Sequence, residues 1–130
     1  MSRFLLDTHL LLWVADDHPR LPALVADAMA GASRSLVFSV VSIWELAIKN
    51  SLRKPGFRAD PRRLRDGMLA AGCEELQVTA DHAIAVRDLP WLHRDPFDRL
   101  LMAQATVEGL MLLTSDSTLA RYPGPVRLVT

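Results

Sequence analysis

A chain of 130 residues, half of them hydrophobic, has enough apolar side chain for one domain whose core needs no staples. Its single cysteine, Cys73, excludes an intramolecular disulfide and a cysteine-built zinc cluster. Fifteen basic and fifteen acidic residues cancel, so no global field draws the chain to nucleic acid or membrane, and any such role must come from local charge.

No apolar run approaches the roughly 20 residues of a membrane span. The start, Met-Ser-Arg-Phe-Leu-Leu-Asp, is not laid out as a signal peptide. A soluble, cytoplasmic protein is expected. Phe4-Leu5-Leu6 suits a short strand buried on both faces, and it stops at Asp7-Thr8. Thr8 to Ala15 reads as a helix, broken by Asp16-Asp17-His18-Pro19. Leu21, Leu24, Val25, Ala28 and Met29 keep helical spacing over Leu21 to Ala30, and Gly31 ends that helix. Leu36-Val37-Phe38 is a second strand. Ser39 to Arg53 is the next helix, with an apolar stripe of Val40, Ile43, Trp44, Ala47 and Ile48. Asp60 caps and Pro61 opens a helix that runs to Ala71 and stops at Gly72. Leu76-Gln77-Val78 is a third, weaker strand, and Thr79 caps a helix through Asp88. Residues 89–94 form a loop. Asp95-Pro96-Phe97-Asp98 opens the clearest helix, with Phe97, Leu100, Leu101 and Ala105 on one face and Gly109 at its end. Leu110 to Leu113 is a fourth strand, stopping at Thr114-Ser115-Asp116. A short helix to Arg121, a turn at Tyr122-Pro123-Gly124-Pro125 and a strand from Val126 to Val129 complete the chain. Helices alternating with short apolar strands predict an α/β fold with a parallel sheet covered on both faces.

Four acids stand out by position. Asp7 follows the first strand and Asp116 the fourth; Glu45 lies about two turns into the helix after the second strand, and Asp98 is in the first turn of the helix before the fourth. In a parallel sheet all four can reach the carboxyl-terminal rim, where ligands bind. Each also has a bland reading. Asp7 and Asp116 could be helix N-caps, Ser42-x-x-Glu45 fits a capping box, and Asp98 would favour the dipole of a helix capped by Asp95. Capping does not require convergence, however, and Glu45 sits in a segment where an unpaired charge is expensive. Carboxylates gathered in one pocket repel unless a cation neutralises them. An all-oxygen cluster suits Mg²⁺ or Mn²⁺ rather than zinc. Such an ion activates water against a phosphoryl group, which points to metal-assisted phosphodiester hydrolysis in which no histidine or cysteine needs a catalytic role.

Leu6-Asp7-Thr8, Ser42-Ile43-Trp44-Glu45, the stretch from Asp95-Pro96-Phe97-Asp98-Arg99 to Ala105, and Leu113-Thr114-Ser115-Asp116 resemble, in order along the whole chain, the acidic motifs of PIN-domain ribonucleases, and most of all the VapC-like toxins of bacterial toxin–antitoxin modules. The resemblance implies a three-layer α/β/α sandwich around a mostly parallel five-stranded sheet over residues 1–130. It implies Mg²⁺- or Mn²⁺-dependent endonuclease action on RNA, with Asp7, Glu45, Asp98 and Asp116 as catalytic metal ligands. Thr8, Thr114 and Ser115 would orient those carboxylates or water. Asp95 reads as the cap of its helix, with an extra acid of the site as the other option. A cognate antitoxin partner and a homodimer are implied too, and the apolar faces of the helices near 21–30 and 42–53 are candidate contacts.

Seven of the fifteen basic residues (Lys49, Arg53, Lys54, Arg58, Arg62, Arg63 and Arg65) fall in one stretch with Asp60 as its only acid. They form either a solvated helix face or a lip that holds RNA phosphates. Trp13 and Trp44 lie on apolar stripes and are expected in the core; Trp91, in a proline-containing loop, is the better base-stacking candidate. His9, His18 and His82 read as surface or packing residues. Arg99 is expected to pair with a carboxylate near the pocket. Two other functions fit: a non-catalytic module that binds an antitoxin and helps repress transcription, and a phosphatase of the haloacid-dehalogenase type. The second requires an aspartate two residues after Asp7, where this chain has His9.

Overall fold

The computed structural model describes residues 3–31 and 35–130. Five strands, β1 (Phe4–Leu6), β2 (Leu36–Ser39), β3 (Glu74–Leu76), β4 (Met111–Thr114) and β5 (Val126–Leu128), form one sheet in the order β3-β2-β1-β4-β5, every pair parallel. The helices are α1 (Thr8–Ala15), α2 (Ala23–Ala30), α3 (Val40–Ser51), α4 (Pro61–Ala70), α5 (Ala80–Ala85) and α6 (Pro96–Glu108). The chain builds outward from β1 to β3, then returns to the other side of β1 to lay down β4 and β5. Strand order therefore reverses between β1 and β4, and a crevice at their carboxyl ends is the natural ligand position of such a sheet.

Strand residues alternate between two cores. Leu6, Leu36, Phe38 and Leu113 pack with Leu10, Leu11 and Leu12 of α1, Val25 of α2 and Leu64 and Met68 of α4. Leu5, Val37 and Leu112 face the other way, onto Val41 of α3 and Leu101, Met102 and Ala105 of α6. This is why the strands read as uninterrupted apolar runs: both of their faces are covered. The turn from α6 into β4 requires Gly109, whose φ of 68° lies in the left-handed region while its N–H caps Ala105 O. Among the described residues no helix is long and apolar enough to cross a membrane.

Several elements differ from the expectation. The third strand is 74–76 rather than 76–78: at a sheet edge its side chains need not be apolar, and Glu75 is held by Arg65 (Nε–Oε2 2.5 Å) while Glu74 pairs with Arg3. Helix α2 begins at Ala23 because Pro22 stands at its cap. The α5 helix gives way to a 3-10 turn over Val86–Asp88, and a 3-10 turn over Leu119–Arg121 stands for the expected last helix. Trp44 is not core but 55% exposed. The buried stripe of α3 is Val41, Ser42, Glu45 and Leu46, so the helical period was legible but its phase was set by two polar residues.

Candidate metal centre

Asp7 ends β1 and caps α1. Its Oδ1 accepts from Leu10 N (2.8 Å) and its Oδ2 from Thr114 Oγ1 (2.6 Å), and the residue is almost wholly buried. Burial raises its pKa above the usual 3.8, with the charge of Asp116 adding to that against the two hydrogen bonds. Thr114, the last residue of β4, also accepts from the backbone N–H of Asp116 (3.0 Å), so one hydroxyl ties together the acids that follow β1 and β4. Asp116 Oδ1 accepts from Thr118 N (2.8 Å), and the half-buried carboxylate turns its Oδ2 toward the His93 imidazole.

Asp98 stands three residues past the cap of α6, where Asp95 Oδ1 accepts from Phe97 N and Asp98 N. Asp95 is thus the cap. Burial pushes the Asp98 carboxyl up to about 6; a hydrogen bond from His93 opposes this, and the charges of Asp95, Asp7 and Glu45 reinforce it. Glu45 is 2% exposed. Its Oε2 holds Lys49 Nζ at 2.6 Å, and its Oε1 is buried with no hydrogen-bond partner among the described residues. It belongs to no capping box: α3 is capped by Ser39, and Ser42 Oγ accepts from Thr8 Oγ1 (3.0 Å), joining α1 to α3.

The structure brings Asp7 and Glu45 into electrostatic range of Asp98, and Asp116 into range of Asp7, although these acids are far apart in sequence; among the described residues the donor atoms that lie within 4.8 Å of one another are those of His93, Asp98 and Asp116, without Asp7 or Glu45. A buried, unpaired carboxylate oxygen costs on the order of 1–3 kcal/mol or more, and several carboxylates held this close favour a bound cation. The donors are predominantly carboxylate oxygens, so the residues present fit a hard dication such as Mg²⁺ or Mn²⁺.

The remaining candidates scatter. Thr8 and Thr114 touch the cluster's framework; Ser115 is half-buried beside Asp116 and makes no hydrogen bond to these acids among the described residues. Of the seven basic residues, Lys49 is hydrogen-bonded to the cluster through Glu45 and lies over the Phe97 ring (5.6 Å). Arg65 is bound to Glu75, and Arg53, Lys54, Arg58, Arg62 and Arg63 are exposed. Trp13 stacks on His18. Trp44 meets Phe97 edge-on at 5.0 Å, which places an exposed ring beside Glu45 and Asp98. Trp91 is 78% exposed over the guanidinium of Arg99.

One expectation fails. Arg99 pairs with no carboxylate among the described residues; it donates to the carbonyls of Val86, Leu89, Pro90 and His93 and to Tyr122 Oη. A residue the sequence did not single out for the site stands beside two of the acids: His93 Nε2 is 2.7 Å from Asp98 Oδ2 and 3.9 Å from Asp116 Oδ2, and one donor atom from each of the three lies within 4.8 Å of the others. The available signal was a histidine two residues before a capped acidic helix, in a loop that leads into the site.

A family model described as PIN domain matches residues 4–125. Three solved structures share the fold. A chain of VapBC2 from Rickettsia felis, bound to a DNA fragment from its promoter, superposes with a TM-score of 0.74 at 18% identity, covering 99% of this chain and 100% of that one. A chain of DNA-bound VapBC from Salmonella typhimurium gives 0.68 at 20% identity, with 98% and 97% covered. A chain of a toxin–antitoxin complex from Klebsiella pneumoniae gives 0.63 at 14%, with 95% and 94% covered. No curated protein matches the sequence.

Proposed function

Since the chain belongs to the PIN-domain family, whose members are generally nucleases, we propose that it is a divalent-metal-dependent endoribonuclease acting as the toxin of a toxin–antitoxin pair. The observation that carries this reading is Glu45 Oε1, a buried carboxylate oxygen without a hydrogen-bond partner among the described residues, on a side chain whose charge, like that of Asp7, acts on Asp98. These four residues would hold the ion. When bound, a Mg²⁺ or Mn²⁺ ion there supplies Lewis acidity to a phosphodiester and lowers the pKa of a coordinated water. The chain's own residues prepare the site: Thr114 fixes the carboxylate of Asp7, Lys49 holds Oε2 of Glu45 and leaves Oε1 free, and the cap at Asp95 sets the first turn that presents Asp98. Lys49 and the exposed Arg53, Lys54, Arg58, Arg62 and Arg63 supply phosphate contacts, and Trp91 together with the newly placed Trp44 offers rings for unpaired bases.

The three solved structures named above are toxin–antitoxin complexes, two of them on DNA, which supports a cognate antitoxin as partner and a share in repression beside the nuclease activity. A groove of about 350 Å³ between α1, α2 and α4, lined by Val14, Met29, Arg63, Leu64 and Met68 among others, suits one of its segments. None of the four acids lines it. The phosphatase alternative lacks its second aspartate, since residue 9 is an exposed histidine.

The test is RNA cleavage with added Mn²⁺. Asp7→Asn and Asp98→Asn are each expected to cut at least about a hundredfold more slowly while keeping native circular dichroism, in line with the cost of removing a group that stabilises developing charge. Cleavage by either variant at the unaltered rate would remove that residue from the site. A wild-type protein that binds an antitoxin yet never cuts would leave the binding-only module.

A further inference from the structure

Arg99 is 3% exposed and meets no carboxylate among the described residues, so its buried charge must be stabilised by dipoles. Its guanidinium binds the segment from Val86 to Trp91: Nη2 donates to the carbonyls of Val86 (3.2 Å) and Leu89 (3.3 Å) and Nη1 to Pro90 (2.9 Å), with the Trp91 ring 3.9 Å above. Nη1 also reaches Tyr122 Oη at 2.9 Å. That hydroxyl accepts from His93 N–H (3.1 Å) and donates to His93 C=O (3.1 Å), so its hydrogen-bonding capacity is full and the backbone of His93 is held on both sides. The loop so clamped delivers one side chain to the acids, the His93 imidazole, to within 2.7 Å of Asp98 and 3.9 Å of Asp116.

We propose that His93 is a nitrogen ligand of the dication, completing a site with Asp98 and Asp116 and giving it a preference for Mn²⁺ over Mg²⁺. This rests on the metal-dependent reading above and specifies what that reading left as an all-oxygen set. A preset imidazole within 4.8 Å of both carboxylate donors needs only a small adjustment to share one ion with them. On coordination the ring proton sits on Nδ1 and Nε2 offers its lone pair. Imidazole is a poor partner for Mg²⁺ and a better one for transition ions, so the selectivity follows from donor chemistry. The buried Oε1 of Glu45 has no hydrogen-bond partner among the described residues, and the Glu45 charge acts on Asp98, so it would add to the attraction for a cation held there. Arg99 and Tyr122 are positioning residues for this ligand.

The experiment is Mn²⁺ binding followed by electron paramagnetic resonance, with electron spin echo modulation reporting nitrogen coordination, on the wild-type protein, His93→Gln and Tyr122→Phe. The wild type should bind Mn²⁺ and show ¹⁴N modulation. His93→Gln should lose the modulation and bind Mn²⁺ about tenfold more weakly or worse, the scale on which metal sites answer such losses, with a smaller change for Mg²⁺ by competition. Tyr122→Phe keeps the imidazole but frees the loop, and should weaken Mn²⁺ in the same direction by less. Bound Mn²⁺ without nitrogen modulation, or unchanged affinity in His93→Gln, overturns the ligand assignment and leaves the metal-dependent reading standing. Wild-type protein that takes up no Mn²⁺ overturns both.

Discussion

Asp98 carries the clearest electrostatic signature of the crevice. Its carboxyl is pushed up to about 6, first by burial and then by the charges of Asp95, Asp7 and Glu45. In the unfolded chain the same group titrates near the usual 3.8, so the native state binds the proton more tightly. This contribution to stability is fully present below about pH 4 and is lost as pH rises through about 6. A shift of about two units corresponds to on the order of 3 kcal/mol. Melting temperature in EDTA should therefore decline across that window; Asp98→Asn should flatten the decline, and excess Mn²⁺ should reverse it, because the ion needs the ionised carboxylate. A melting curve in EDTA that rises steadily from pH 4 to 6.5 would contradict the placement of Asp98 among like charges. At this scale Asp7, Glu45, Asp98 and Asp116 were legible as candidates, because each stands at a fixed offset from an apolar run. His93 was not, because its place beside Asp98 comes from the tie between Arg99, Tyr122 and the loop, and Tyr122 is 29 residues away. Arg99 itself was misassigned: its neighbour Asp98 suggested an ion pair, whereas main-chain carbonyls take up the guanidinium.

Elements were easier to place than their phases and ends. The caps at Asp7, Asp60, Thr79 and Asp95 were readable from residue type, since a short polar side chain before a helical stripe has few other reasons to be there. The phase of α3 was not, because the buried stripe includes Ser42 and Glu45 and leaves Trp44 outside. The edge strand β3 escaped the apolar pattern because salt bridges to Arg65 and Arg3, rather than burial, accompany its glutamates. The middle of α4 holds Gly67, with no atom within 4 Å of an added Cβ. Gly67→Ala should raise stability by about 0.5–1 kcal/mol in urea unfolding, as backbone entropy is removed from the unfolded chain; a loss would mean that α4 is strained there. Because Gly67 also lines the groove between α1, α2 and α4, Gly67→Arg should fill it, weakening capture by the antitoxin in a pull-down while RNA cleavage continues. Equal capture would move the partner to another face.

For the whole molecule, the order β3-β2-β1-β4-β5 sets the acids that follow β1 and β4 side by side at one rim. Asp7 and Asp116 arrive at the rim because β1 and β4 are parallel neighbours, registered Leu6 to Leu113; α3 and α6 then bring Glu45 and Asp98 across from the layer that packs on that pair. Sequence period predicts parallel strands and their covering layers, but the adjacency of the first and fourth strands is a long-range choice that no local pattern encodes. The resemblance of the ordered acidic motifs to a family implied a mostly parallel five-stranded sheet but not its strand order. The decisive measurement is anomalous diffraction from a crystal equilibrated with Mn²⁺. A peak within coordination distance of Asp7, Glu45, Asp98 or Asp116 oxygens, with Glu45 Oε1 no longer unpartnered, is the predicted result. A well-diffracting, Mn²⁺-saturated crystal with no peak in the β1–β4 crevice would contradict it.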